Sequence, residues 1–135
     1  MPQPGQVFRY IDFVFSDGSK GDKIFVILNN AVLDSPCLVL KTTSQPNRYI
    51  GVSEGCNPQR NVFFVPQGSQ ECFRIDTYIK LPEIIEVSME ELLQGSLSKQ
   101  IYIMDALSPE CFVKLRSCLK QFRNRISERH QELIF

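Results

Sequence analysis

The sequence predicts a mainly β, α+β fold: a small β-barrel or strongly bent sheet with a C-terminal helix laid across it. Three observations point there. Short stretches rich in aromatic and β-branched residues recur along the chain, turn-forming residues punctuate every gap, and the last quarter carries apolar residues at spacings of three and four. At 135 residues the chain suits one domain, residues 1–135. Folding at this size buries roughly two-thirds of the unfolded chain's surface, enough for a core without disulfide or metal staples.

Val7 to Phe15, Ile24 to Leu28, Leu38 to Thr43, Val62 to Val65 and Ile75 to Leu81 read as strands. The polar run Ser16 to Lys23 holds Gly18 and Gly21 and makes the first two a hairpin. Ser44 to Arg60 carries Pro46, Asn47, Gly51, Gly55, Asn57 and Pro58. That is too many breakers for a helix and too long a segment for a hairpin turn, so an exposed excursion with binding duties is expected. Ser88 and Glu91 have capping-box spacing, which predicts a short helix over about Met89 to Leu93 stopped at Gly95. Ile101 to Met104 reads as the final strand. Ser108, Pro109 and Glu110 then open a helix as N-cap, first residue and dipole-favoured acid. Phe112, Leu115, Leu119, Phe122 and Ile126 share one face of it. Lys114, Arg116, Lys120, Arg123, Arg125 and Arg129 cover the rest, either as a solvated face or as a phosphate-attracting stripe.

Apolar residues make up 43% and charged residues 22% of the chain, ordinary globular values that argue against a disordered or membrane protein. No apolar run approaches the roughly 20 residues that span a bilayer. The polar start Met1-Pro2-Gln3-Pro4 is unlike a signal peptide, so a cytoplasmic location is expected. Fifteen basic and fifteen acidic residues cancel, and any nucleic-acid affinity must come from a local patch. Cys37, Cys56, Cys72, Cys111 and Cys118 are odd in number and contain no C-x-x-C pair, so they read as reduced thiols. A zinc site would need Cys56, Cys72 and a further pair to converge from distant loops, with His130 the single histidine. No metal or cofactor is expected.

Gly5-Gln6-Val7, then Asp22-Lys23-Ile24-Phe25-Val26-Ile27-Leu28-Asn29, then Leu40-Lys41-Thr42-Thr43-Ser44 follow one another in an order that resembles the PemK/MazF-like toxin family. Leu81-Pro82-Glu83-Ile84-Ile85 through Leu92-Leu93 looks like that family's late strands, and Leu107-Ser108-Pro109-Glu110 like the opening of its last helix. The likeness runs along nearly the whole chain as a pattern with few identities. It implies an SH3-like barrel of the PemK/MazF type, a homodimer, an antitoxin protein partner, and metal-independent cleavage of single-stranded RNA through the RNA's own 2′-hydroxyl.

By position, the family's catalytic arginine corresponds to Lys23 and its threonine to Thr43, with Ser44 following. Such cleavage adds negative charge to the phosphoryl oxygens, so a fixed cation and hydroxyl donors aimed there stabilise the transition state. The lysine is a departure, because a guanidinium holds two phosphate oxygens and an ammonium is a point charge. Beside a polar loop its pKa is expected to stay unshifted. Arg9, Lys20, Lys41 and Arg48 are the RNA-binding candidates, Arg48 foremost as second cation. Tyr10, Tyr49 and Phe64 offer stacking surfaces for bases or ordinary packing. The alternative function is a barrel that kept its shape, lost its chemistry and acts by occluding a protein or nucleic-acid partner. Another is an unrelated α+β domain that imitates the pattern.

Overall fold

The computed structural model describes residues 2–32 and 34–135, with only the backbone of Pro46. Met1, the first residue of the polar start, lies outside the described residues. The elements are β1 (Gln6–Val14), β2 (Lys20–Ile27), β3 (Cys37–Thr43), β4 (Gly55–Asn57), β5 (Val62–Val65), β6 (Thr77–Val87), α1 (Met89–Leu97), β7 (Ile101–Ala106), α2 (Pro109–Lys120) and α3 (Glu128–Ile134). The strands form one seven-stranded antiparallel sheet in the order β4-β5-β6-β3-β2-β1-β7. Its ends, β4 and β7, do not pair with each other. The sheet therefore stays open, where closure into a barrel was expected.

Two separate cores explain why. Along β2 and β3 alternate residues face opposite sides. Val26, Leu28, Leu38 and Leu40 join Leu115, Leu119, Phe122, Ile126 and Ile134 of the C-terminal helical segment on one face. Phe25, Ile27, Cys37 and Val39 join Met89 and Leu92 of α1 on the other. The unbroken apolar runs at Ile24 to Leu28 and Cys37 to Leu40 are what a strand covered on both faces requires. Helices on both sides hide the apolar surface, with no need to roll the sheet shut.

The first hairpin is tighter than its polar sequence suggests. Asp17 accepts hydrogen bonds from the Ser19 N–H and hydroxyl, and Gly18 takes a positive φ of 87°, so β2 already starts at Lys20. Lys23 consequently sits inside a strand opposite Tyr10. One extra residue in β1 between Tyr10 and Phe13 makes a bulge, with Asp12 at φ 57°. β6 is irregular against β3 near Pro82, where a residue without an N–H is tolerated. Asn29, buried after β2, accepts from the Leu38 N–H at 2.8 Å and donates to the Pro36 carbonyl at 3.1 Å. It thereby closes the β2–β3 connection from inside.

Ser88, Ser108 and Ser127 cap the three helices, accepting from the N–H groups of Glu91, Cys111 and His130 at 3.0, 3.2 and 3.2 Å. α1 does not stop at Gly95, which is buried within it. A Cβ there would lie 2.4 Å from Cδ1 of Ile101, so this glycine serves close helix–strand approach. The C-terminal apolar face is split. α2 ends at Lys120, a 3₁₀ turn spans Arg123–Arg125, and the Gln131 side chain donates to the carbonyls of Arg123 and Ile126. Phe122 and Ile126 stay buried across the break.

The thiol expectation is corrected at two positions. Cys56 and Cys118 form a disulfide that ties β4 to α2, while Cys37, Cys72 and Cys111 are free. The excursion Ser44 to Arg60 is likewise more structured than expected, since it contains β4 and two 3₁₀ turns. The Arg60 guanidinium donates to the carbonyls of Ile50 and Arg48 at 3.0 and 2.9 Å.

Gly95→Ala should destabilise the protein by about 1–3 kcal/mol through overpacking against Ile101, despite alanine's better helix propensity, as read by urea denaturation. Replacing both Cys56 and Cys118 by serine should cost on the order of 4 kcal/mol in the chain-entropy account of a long closed loop, seen as a lower denaturation midpoint than that of the oxidised parent.

Candidate functional site

A hollow of about 630 Å³ opens where β2 and β3 leave the core, and Lys23, Thr43 and Ser44 all line it. Asp22 and Gln45 flank them, Glu71 to Ile75 and Thr77 form a second wall, and Met104 and Asp105 of β7 a third. The three residues singled out by the family resemblance thus come together from β2 and the end of β3.

Lys23 is half-buried, its Nζ donating to the Thr42 carbonyl at 3.0 Å and lying 5.9 Å from the centroid of Phe15. Burial, followed by the positive fields of Lys80, Lys41 and Arg48, lowers its pKa below the ordinary lysine value. This corrects the expectation of an unshifted amine. The early start of β2 draws Lys23 into the sheet and away from the polar loop. Thr42 is buried and donates its hydroxyl to the Ile24 carbonyl at 2.9 Å, a cross-strand tie. Thr43 points the other way, as alternation demands, and its Oγ1 accepts only a long 3.4 Å contact from the Gln45 N–H. Its hydroxyl donates no hydrogen bond among the described residues, and Thr43 lines the hollow.

The remaining nominated cations do not line the hollow. Arg9 is ion-paired with Asp22, Lys41 reaches Glu83 at 3.6 Å, and Lys20 is exposed opposite Val14. Arg48 lies on the 3₁₀ turn Pro46–Arg48 and contributes to the site through its field on Lys23. Tyr10 belongs to the core side. Its hydroxyl donates to Glu91, and burial, followed by that carboxylate, pushes its pKa up to about 12. Tyr49 and Phe64 each stack with Tyr78, at 4.9 and 4.7 Å between centroids. Of the C-terminal basic residues, Arg129 is paired with Glu86, and Arg116 and Lys120 lie over the Phe135 ring.

Arg74, Glu71 and Asp105 were not foreseen as site residues. The first two are carried on the β5–β6 connection. The buried pair Cys72 and Phe73 anchors that connection, as does the Gln70 side chain, which accepts from the Ser108 N–H at 2.7 Å. The only local signal was an apolar pair embedded among turn and charged residues. Among the described residues no group of three or more His, Cys, Asp or Glu side chains converges as a metal site. Among them too, no helix is long and apolar enough to cross a membrane. Comparison of the chain with protein families, curated proteins and solved structures found no match.

The lowered Lys23 pKa has a definite sign. Between that value and the ordinary lysine pKa the unfolded chain binds more protons than the folded one, so Lys23 makes stability rise with pH there. Lys23→Met should flatten that limb of the stability–pH curve, and NMR of the lysine Nζ groups should find Lys23 titrating first.

Proposed function

We propose that the chain is a PemK/MazF-like toxin module with an SH3-like barrel ancestry, acting as a metal-independent endoribonuclease on single-stranded RNA. The observation that carries this reading is the convergence of Lys23, Thr43 and Ser44 on one hollow large enough for a nucleotide. The RNA 2′-oxygen attacks the adjacent phosphorus while the bond to the 5′-oxygen breaks, leaving a 2′,3′-cyclic phosphate and a free 5′-hydroxyl. Lys23 and the Thr43 hydroxyl neutralise and hydrogen-bond the phosphoryl oxygens as charge builds on them. Arg74, which lines the same hollow, supplies the two-pronged guanidinium missing at position 23. Glu71 or Asp105 takes the 2′-hydroxyl proton, and the departing 5′-oxygen is protonated in turn. An antitoxin protein and a cytoplasmic location go with this reading. The Cys56–Cys118 disulfide pulls against that location, since such bonds are rare in reducing compartments.

A second reading, a binding module without chemistry that occludes a protein or nucleic-acid partner, is favoured by one observation. Arg9 and Lys41 are neutralised by ion pairs, and Asp22, Glu71 and Asp105 place acids at the hollow.

Purified protein incubated in chelator with a long mixed-sequence RNA decides between them. Cuts should recur at a short motif and carry cyclic phosphate ends. Thr43→Ala should slow them about 10²-fold, and Arg74→Ala and Lys23→Ala should each weaken cleavage. Intact RNA in the presence of folded protein would overturn the nuclease in favour of the binding module.

A further inference from the structure

Lys23 is set apart from the other lysines by where its amine ends. Lys20, Lys99, Lys114 and Lys120 are exposed, and the half-buried Lys41 reaches the Glu83 carboxylate. Lys23 makes no ion pair among the described residues. Its Nζ lies near the Phe15 ring, donates to the neutral Thr42 carbonyl, and borders the hollow. Sheet geometry gathers cations around it. Lys23 and Phe25 are two apart on β2 and so share a face, and Lys41 pairs with Phe25 from β3. Thr43, two beyond Lys41, pairs with Tyr78, and Lys80 follows two along β6. Lys41 and Lys80 therefore stand on the face that carries Lys23, and Arg48 adds its field from the 3₁₀ turn. An ammonium in that setting loses hydration and meets like charge, and both effects favour the uncharged amine. An uncharged lysine amine is a nucleophile toward carbonyl carbon. The surrounding cations, for their part, attract an anionic group carried on the same molecule.

We propose that Lys23 is a covalent attachment site for small phosphorylated aldehydes, its Nζ condensing with the carbonyl in the hollow while Lys41, Lys80 and Arg48 draw in the phosphate. The Nζ lone pair forms the new bond to carbon, the carbonyl oxygen leaves as water with both amine hydrogens, and an imine remains. No electron donor or acceptor enters the step. The site rests on no nuclease reading, since it needs the amine, the hollow and the neighbouring cations alone.

Pyridoxal 5′-phosphate serves as the probe. The full chain is incubated with it in the absence of RNA, the imine is fixed with borohydride, and the labelled lysine is located by peptide mass spectrometry. Lys23 should label ahead of every other lysine. Pyridoxal, which lacks the phosphate, should label it at least about tenfold more slowly, and excess inorganic phosphate should slow the phosphorylated probe. Lys23→Arg, which keeps the charge, should remove the fast phase of labelling with circular dichroism unchanged. Labelling spread evenly over the exposed lysines, or a spared Lys23, overturns the proposal. Equal rates with pyridoxal overturn the part given to the phosphate. These readouts need only the parent protein, so they decide even where the variant misfolds. Fast labelling of Lys23 in protein that leaves RNA intact supports this site and refutes the nuclease alone.

Discussion

Burial of both faces of β2 and β3 is the constraint on which the rest of the molecule depends. A strand with one wet face can stand at the surface; one with apolar residues at consecutive positions needs a layer on each side. α1 covers one face, and α2, the 3₁₀ turn and α3 cover the other. The positions of the helices, the openness of the sheet and the split of the C-terminal apolar face all follow from that demand.

The hollow lies where this double burial ends. Toward their open ends β2 and β3 exchange apolar residues for Lys23, Thr42, Thr43 and Ser44. Alternation sends Thr42 inward to hold the sheet and leaves Thr43 free of such duty. Lys23 keeps one foot in each environment: its stem runs past Phe15 and its ammonium is satisfied by a backbone carbonyl. Such a group is poised energetically, because an approaching anion replaces a weak neutral acceptor and relieves the repulsion from the surrounding cations.

Local chemistry was legible at two helix starts, where a neighbour in sequence supplies the partner. Ser88 and Glu91, and Ser108 with Pro109, announced their helices because capping is completed within one turn. Gly95 misled for the opposite reason. As a helix stop it would have acted locally, yet it is glycine because Ile101 of β7 occupies the space a Cβ would need. The same distinction separates Lys23 and Thr43, which the family resemblance singled out and which lie in the paired strands β2 and β3, from Arg74, Glu71 and Asp105. A long connection and an edge strand bring those three in.

By itself, then, the sequence determined most of the strands, the starts of the first two helices and their caps Ser88 and Ser108, because period, propensity and capping are properties of residues a few positions apart. Only the tertiary structure decided the rest. Pairing of Cys56 with Cys118 across 62 positions, the open edge at β7, the lowered pKa of Lys23 and the third wall of the hollow each depend on distances between segments remote in the chain. Those distances are set by how two packed layers settle on one sheet.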